Sequence, residues 1–158
     1  MKPKIPSFRA FWILSTGYRD AGDAVHCQIN TKTYVGFALF PCIFLYFRCI
    51  ELALKSVLAY HSVPAREITR TLGHRISKLI ARTETFLALD SLGISVEDRT
   101  ILDQFSEMYS DKWFEYPHRF WEARPKREEL KRLAHRVCDM SQSYTKKPRD
   151  GGPGSDEN

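Results

Sequence analysis

The sequence predicts an all-α protein, a bundle of four to five helices, on three observations. Apolar residues recur at helical spacing rather than in alternation. Serine, proline and glycine signals cut the chain into helix-length pieces. No convincing set of alternating strands and no internal repeat is present. The 158 residues, 43% hydrophobic and 13% aromatic, suffice for one domain with a real core. That domain is expected over residues 1–145, with residues 146–158, ending GGPGSDEN, as a disordered polar tail.

The elements follow in order. Ser7 can cap a first helix to about Gln28, with Phe8, Phe11, Trp12, Ala21, Ala24 and Val25 as packing candidates. After the polar connector Asn30-Thr-Lys-Thr33, a second helix starts near Pro41, a residue tolerated in a first turn, and runs to about His61. Residues 62–72 hold a turn and a short helical piece. A further helix reaches from near Gly73 to about Asp90, with Ile76, Leu79, Ile80, Phe86 and Leu87 on its apolar side, and Gly93 closes that region. Ser95-Val-Glu-Asp98 has the pattern of a capping box with Asp in the usual Glu place. It opens a helix carrying Ile101, Leu102, Phe105, Met108 and Tyr109. An aromatic segment broken by Pro117 and Pro125 leads to a last helix, about Lys126 to Met140, with Leu130, Leu133, Ala134 and Val137 on one side.

Composition narrows the function classes. A net charge of +5 and a pI near 9.1 permit nucleic-acid or phosphate binding without requiring it. The N-terminus does not have the form of a signal peptide, because Pro6, Ser7 and Arg9 interrupt its apolar stretch. The most apolar run, Tyr34 to Phe47, falls short of the roughly 20 residues of a spanning helix, so the chain is expected to be cytoplasmic with no membrane contact. Cys27, Cys42, Cys49 and Cys138 lack CxxC spacing and read as free, mostly buried thiols. Neither a zinc-ligand spacing, a glycine-rich phosphate loop nor a serine-nucleophile elbow occurs, and no cofactor or metal is expected.

Two polar clusters stand out. On the second helix, Ile43, Phe47, Ile50, Leu54 and Val57 form a broad apolar face, with Leu45 and Leu52 nearly opposite, as expected of a central helix. Arg48, Glu51 and Lys55, at i, i+3 and i+7, make one narrow charged stripe on it. Burying charge is costly, and an exposed i, i+4 Glu–Lys pair contributes only about 0.2–0.5 kcal/mol. The stripe therefore lines a polar groove, meets another subunit, or pairs with a neighbouring helix. The second cluster is Arg70-Thr-Leu-Gly-His74-Arg75, where Gly73 permits a tight entry and first-turn amides attract anions. His74 is there either a ligand contact or a histidine bonded to the helix end. The segment Tyr109 to Pro117 offers aromatics for base stacking or for packing against the bundle. The last helix mixes Arg127, Lys131, Arg132 and Arg136 with Glu128 and Glu129, the pattern of a solvated face.

Taken in order, three short motifs resemble the HEPN superfamily of nucleotide-binding helical bundles. They are E-L-x-L-K (Glu51, Leu52, Leu54, Lys55), G-H (Gly73, His74) and Y-P (Tyr116, Pro117), and the resemblance spans about residues 8–140. It implies an all-α, cytoplasmic, commonly dimeric protein, with roles in defence or toxin–antitoxin systems among its relatives. Some members are metal-independent endoribonucleases; others bind nucleotides or act as non-catalytic partners. The nuclease members carry Arg, a polar residue and His in the last helix, with four to six residues between Arg and His. This chain departs from that: seven residues separate Arg127 from His135, and two separate Arg132 from His135. The spacing occurs in Arg19-Asp20…His26, on the first helix.

The reading is a HEPN-like binding module with a groove for nucleotide, RNA or a cognate partner protein. Its expected ligand-binding residues are Arg48, Glu51, Lys55, Arg70, His74 and Tyr116. A ribonuclease is the alternative, with His74 and Arg70, or His26 and Arg19, as the acid–base and charge-stabilising pairs. A helical subunit that dimerises and binds no ligand is the third reading.

Overall fold

The computed structural model describes residues 7–30, 39–110 and 126–146. Five α-helices carry the fold: α1 (Phe8–Asn30), α2 (Leu39–Tyr60), α3 (Ile76–Thr83), α4 (Val96–Ser110) and α5 (Arg127–Thr145). A π-helical segment (Glu67–Leu72) precedes α3, and a 3-10 turn (Leu89–Leu92) precedes α4. There is no strand among the described residues, so the all-α expectation holds. None of these helices is long and apolar enough to cross a membrane.

α2 is the central helix, as its two apolar faces require. It packs against α1, α3 and α5. Residues 51–58 are buried without exception, and Ile43, Tyr46, Phe47, Ile50, Leu54 and Leu58 are among the largest fully buried side chains. α1 begins where Ser7 predicts: the Ser7 hydroxyl accepts the Ala10 amide at 3.3 Å. Phe11 reaches the core, but Ala21 and Ala24, expected to pack, are exposed. The side of α1 that turns inward at this level carries Gly22 and Asp23 instead. The capping box is formed: the Ser95 amide donates to Asp98 Oδ2 at 3.0 Å, and the Asp98 amide donates to Ser95 Oγ at 3.1 Å.

The ends of two helices differ from expectation. α3 ends at Thr83 rather than near Asp90, because Phe86 leaves the helix line to stack on His61, rings 4.5 Å apart and 11° from parallel. Bonds from the Phe86 and Thr85 amides to the Thr83 and Arg82 carbonyls tighten that exit. α5 continues past Met140 to Thr145. The polar Ser141 and Thr145 are tolerated in the core because their hydroxyls donate back to the Cys138 and Ser141 carbonyls, at 2.8 and 2.9 Å. The aromatic segment with Tyr116 and Pro117, the connector at 31–38 and the tail from 147 lie outside the described residues.

Candidate functional site

Glu51 is fully buried, and four side chains converge on its carboxylate. Arg48 Nη1 donates to both oxygens, at 2.7 and 2.8 Å. Lys55 Nζ donates to Oε1 at 2.6 Å, and the Tyr109 hydroxyl, arriving from α4, donates to Oε2 at 2.5 Å. His74 Nδ1 stands 3.1 and 3.2 Å from the two oxygens and 2.9 Å from Arg48 Nη1. Two tautomers fit: with its proton on Nδ1 the ring donates to Glu51, and with its proton on Nε2 it accepts from Arg48.

Local geometry explains why these groups meet. Arg48, Glu51 and Lys55 share one face of α2. The π-helical segment ends with the Gly73 amide bonded to the Ile68 carbonyl at 3.2 Å. Gly73 then takes φ 57° and ψ −124°, a conformation that suits glycine, and delivers His74 above Glu51. Tyr109 packs its ring on Phe47 at 5.6 Å, which aims its hydroxyl at the carboxylate.

The electrostatics favour an ionised Glu51. Burial pushes its carboxyl up, but the charges of Lys55 and Arg48 and the bonds from Lys55 and Tyr109 outweigh that and hold it below the usual range. Burial, with Glu51 beside it, pushes the Tyr109 hydroxyl well up, so it remains a donor. Burial opposes the charge on Arg48, yet Glu51 raises the guanidinium above its ordinary value. Among the described residues, two cations therefore share one carboxylate. Lys55 is 5% exposed and sealed in. The Arg48 and His74 side chains are 24% and 62% exposed, so they form the open rim. Arg48 also lies over the Tyr18 ring, 5.7 Å from its centre.

Other expected site residues fall elsewhere. Arg70 is exposed on the π-helical segment and has no bond to His74; the cation beside His74 is Arg48. The first-turn amides of the helix after Gly73 were expected to be open to an anion. α3 starts later, at Ile76, and its Ser77 amide is already taken by Ser106 Oγ of α4 at 3.0 Å. Tyr116 lies outside the described residues.

Arg19 and His26 share the side of α1 that meets α5, but each has its own partners. Arg19 Nη1 bonds Asp139 Oδ1 at 2.9 Å. His26 is buried beside Tyr46, with Nε2 3.9 Å from Glu128 Oε1 and Nδ1 lacking a hydrogen bond among the described residues. Between them Asp23, which sequence reasoning missed, is a hub. Its Oδ1 accepts from Tyr46 at 2.8 Å and Lys131 at 3.2 Å, and its Oδ2 lies 2.8 Å from His135 Nε2. The available signal was the i, i+4, i+8 row Lys131, His135, Asp139 on α5. An open cleft of about 330 Å³ lies at another place, between the start of α1 (Phe8, Trp12, Ile13) and the end of α5 (Gln142, Thr145). Among the described residues, none of the expected site residues lines it. No protein-family model matches this chain, and no curated protein or solved structure shows significant similarity to it.

Proposed function

We propose that the chain is a HEPN-like helical binding module that receives a phosphate-bearing ligand, a nucleotide or RNA, at the rim formed by Arg48 and His74. One observation carries this reading: two cations share the single Glu51 carboxylate, and the less buried cation stands at the surface beside an exposed histidine. A phosphate oxygen accepts from the outward N–H groups of Arg48 and from His74, while Glu51 and Lys55 hold Arg48 in place from below. Tyr18 keeps the guanidinium plane fixed.

The test is calorimetry and thermal shift with adenine nucleotides and a short single-stranded RNA at two salt concentrations. Saturable binding that weakens with salt and is lost in His74→Ala supports the reading; His74 is exposed enough that this change leaves the fold intact. Absence of binding to both ligand types refutes it. The complete burial of Glu51 favours a second reading, a polar lock between α2 and α4 with no ligand. In that case His74→Ala lowers stability slightly and no ligand shifts the melting temperature.

A further inference from the structure

Three helices meet at a pair of sulfurs. Cys49 of α2 and Cys138 of α5 are 0% and 1% exposed, and one hydroxyl lies within reach of both sulfurs. Ser15 of α1 touches both, its Oγ 3.4 Å from Cys49 Sγ and 3.5 Å from Cys138 Sγ. The Cys49 thiol also reaches the Ala134 carbonyl at 3.7 Å, one turn before Cys138, so the α2 and α5 backbones run close here. Thr16 Oγ1 at 3.7 Å and Arg19 Nη1 at 4.0 Å complete the surroundings of Cys138 Sγ.

We propose that Cys49 and Cys138 form a peroxide-sensitive dithiol that closes to an intramolecular disulfide between α2 and α5. The two sulfurs are not equivalent. Arg19 Nη1 and the Ser15 and Thr16 hydroxyls stand beside Cys138 Sγ, and a neighbouring positive charge with hydrogen-bond donors favours the thiolate there. The Cys49 thiol instead donates to the Ala134 carbonyl and is fully buried, which favours its protonated form. Cys138 is thus the first nucleophile and Cys49 the resolving thiol. Arg19 is the cover: its side chain is 20% exposed and is held over Cys138 by Asp20 and Asp139, each 64% exposed. Swinging this surface arginine admits a small peroxide.

The chemistry balances. Cys138 ionises and its thiolate attacks one oxygen of hydrogen peroxide; an S–O bond forms, the O–O bond breaks, and the departing hydroxide takes up the proton that Cys138 released, leaving as water. Cys49 sulfur then attacks the Cys138 sulfenic acid. The S–S bond forms, the S–O bond breaks, and hydroxide leaves with the Cys49 proton as a second water. Both sulfurs are oxidised and the peroxide is reduced. The other cysteines lack this arrangement: Cys27 is exposed on α1, and burial pushes the Cys42 thiol up to about 11.

The full-length Cys27→Ser protein, treated with hydrogen peroxide and alkylated in denaturant, tests this by peptide mapping. A crosslinked peptide joining Cys49 to Cys138 is expected, reversible by reductant, with a raised melting temperature in the oxidised form. In a Cys49→Ser version dimedone should trap Cys138 as the sulfenic acid. In a Cys138→Ser version Cys49 should stay reduced. Arg19→Gln should change the oxidation rate several-fold. The proposal is overturned if native protein yields no 49–138 crosslink, if Cys138 oxidises without one, or if the crosslink forms no faster than in urea-unfolded protein.

Discussion

Glu51→Gln removes a charge while keeping nearly the same volume, so its effect reads the electrostatics of the buried cluster. The amide still accepts from Tyr109 through its oxygen. Its NH2 group, however, faces Arg48 and Lys55, which are donors only. Lys55, 5% exposed, cannot recover water, whereas the half-open Arg48 recovers part of its hydration. Breaking a buried pair by removing one partner costs about 3–5 kcal/mol, and the partial exposure of Arg48 puts the expected loss at the lower end, about 3 kcal/mol. A domain of this size then melts about 6–12 °C lower. Urea denaturation at neutral pH with an unchanged m-value is the assay. Adding Lys55→Met in the same background should restore much of the loss, because an apolar side chain tolerates that site once the carboxylate is gone. A loss below about 1 kcal/mol, or no recovery with Lys55→Met, would refute the view that Glu51 neutralises a sealed lysine.

Four further outcomes are expected. The folded-state pKa of Glu51 lies below its ordinary 4.5, so its contribution is full above that value and is lost as pH falls through the folded pKa; acid melts should show wild type losing stability there and Glu51→Gln losing less. Gly22→Ala places a Cβ 2.7 Å from Cε1 of Tyr46, a ring with no exposure. Overpacking of about 1–3 kcal/mol offsets or exceeds a helix-propensity gain of about 1 kcal/mol, for a net loss of up to about 2 kcal/mol in thermal melts. Gly17→Ala, on the same helix with nothing within 4 Å of its Cβ, should instead gain up to about 1 kcal/mol. Ser95→Ala removes the hydroxyl that accepts the Asp98 amide at the start of α4, leaving the bond from the Ser95 amide to Asp98 in place, and should cost about 1 kcal/mol in the same measurement.

Much of the scaffold was legible because it is written locally. The apolar residues on opposite sides of α2 predicted a central helix, and the i, i+3, i+7 spacing placed Arg48, Glu51 and Lys55 together. Ser7 and Ser95 marked helix starts through bonds that span three residues. What the charged stripe faces was not legible. Tyr109 arrives from a helix 58 residues away, and His74 arrives only because Gly73 turns the chain. Asp23 escaped notice for the same reason: its partners Tyr46, Lys131 and His135 sit on two other helices, and no spacing within α1 announces them. The early end of α3 was hidden too, since it depends on Phe86 finding His61 across the bundle.

The contacts between α1 and α5 have a consequence for how the two helices can align. They run antiparallel, Arg19 meeting Asp139, Asp23 meeting His135, and His26 lying near Glu128. Sliding one helix by a turn so that Asp23 came opposite Asp139 would face two carboxylates and leave Arg19 opposite the uncharged Ser143. Apolar packing alone distinguishes such neighbouring alignments poorly, whereas misplaced charges penalise them. The ladder thus works as a vernier, adding little to the depth of the energy well while selecting which of several adjacent wells the last helix occupies.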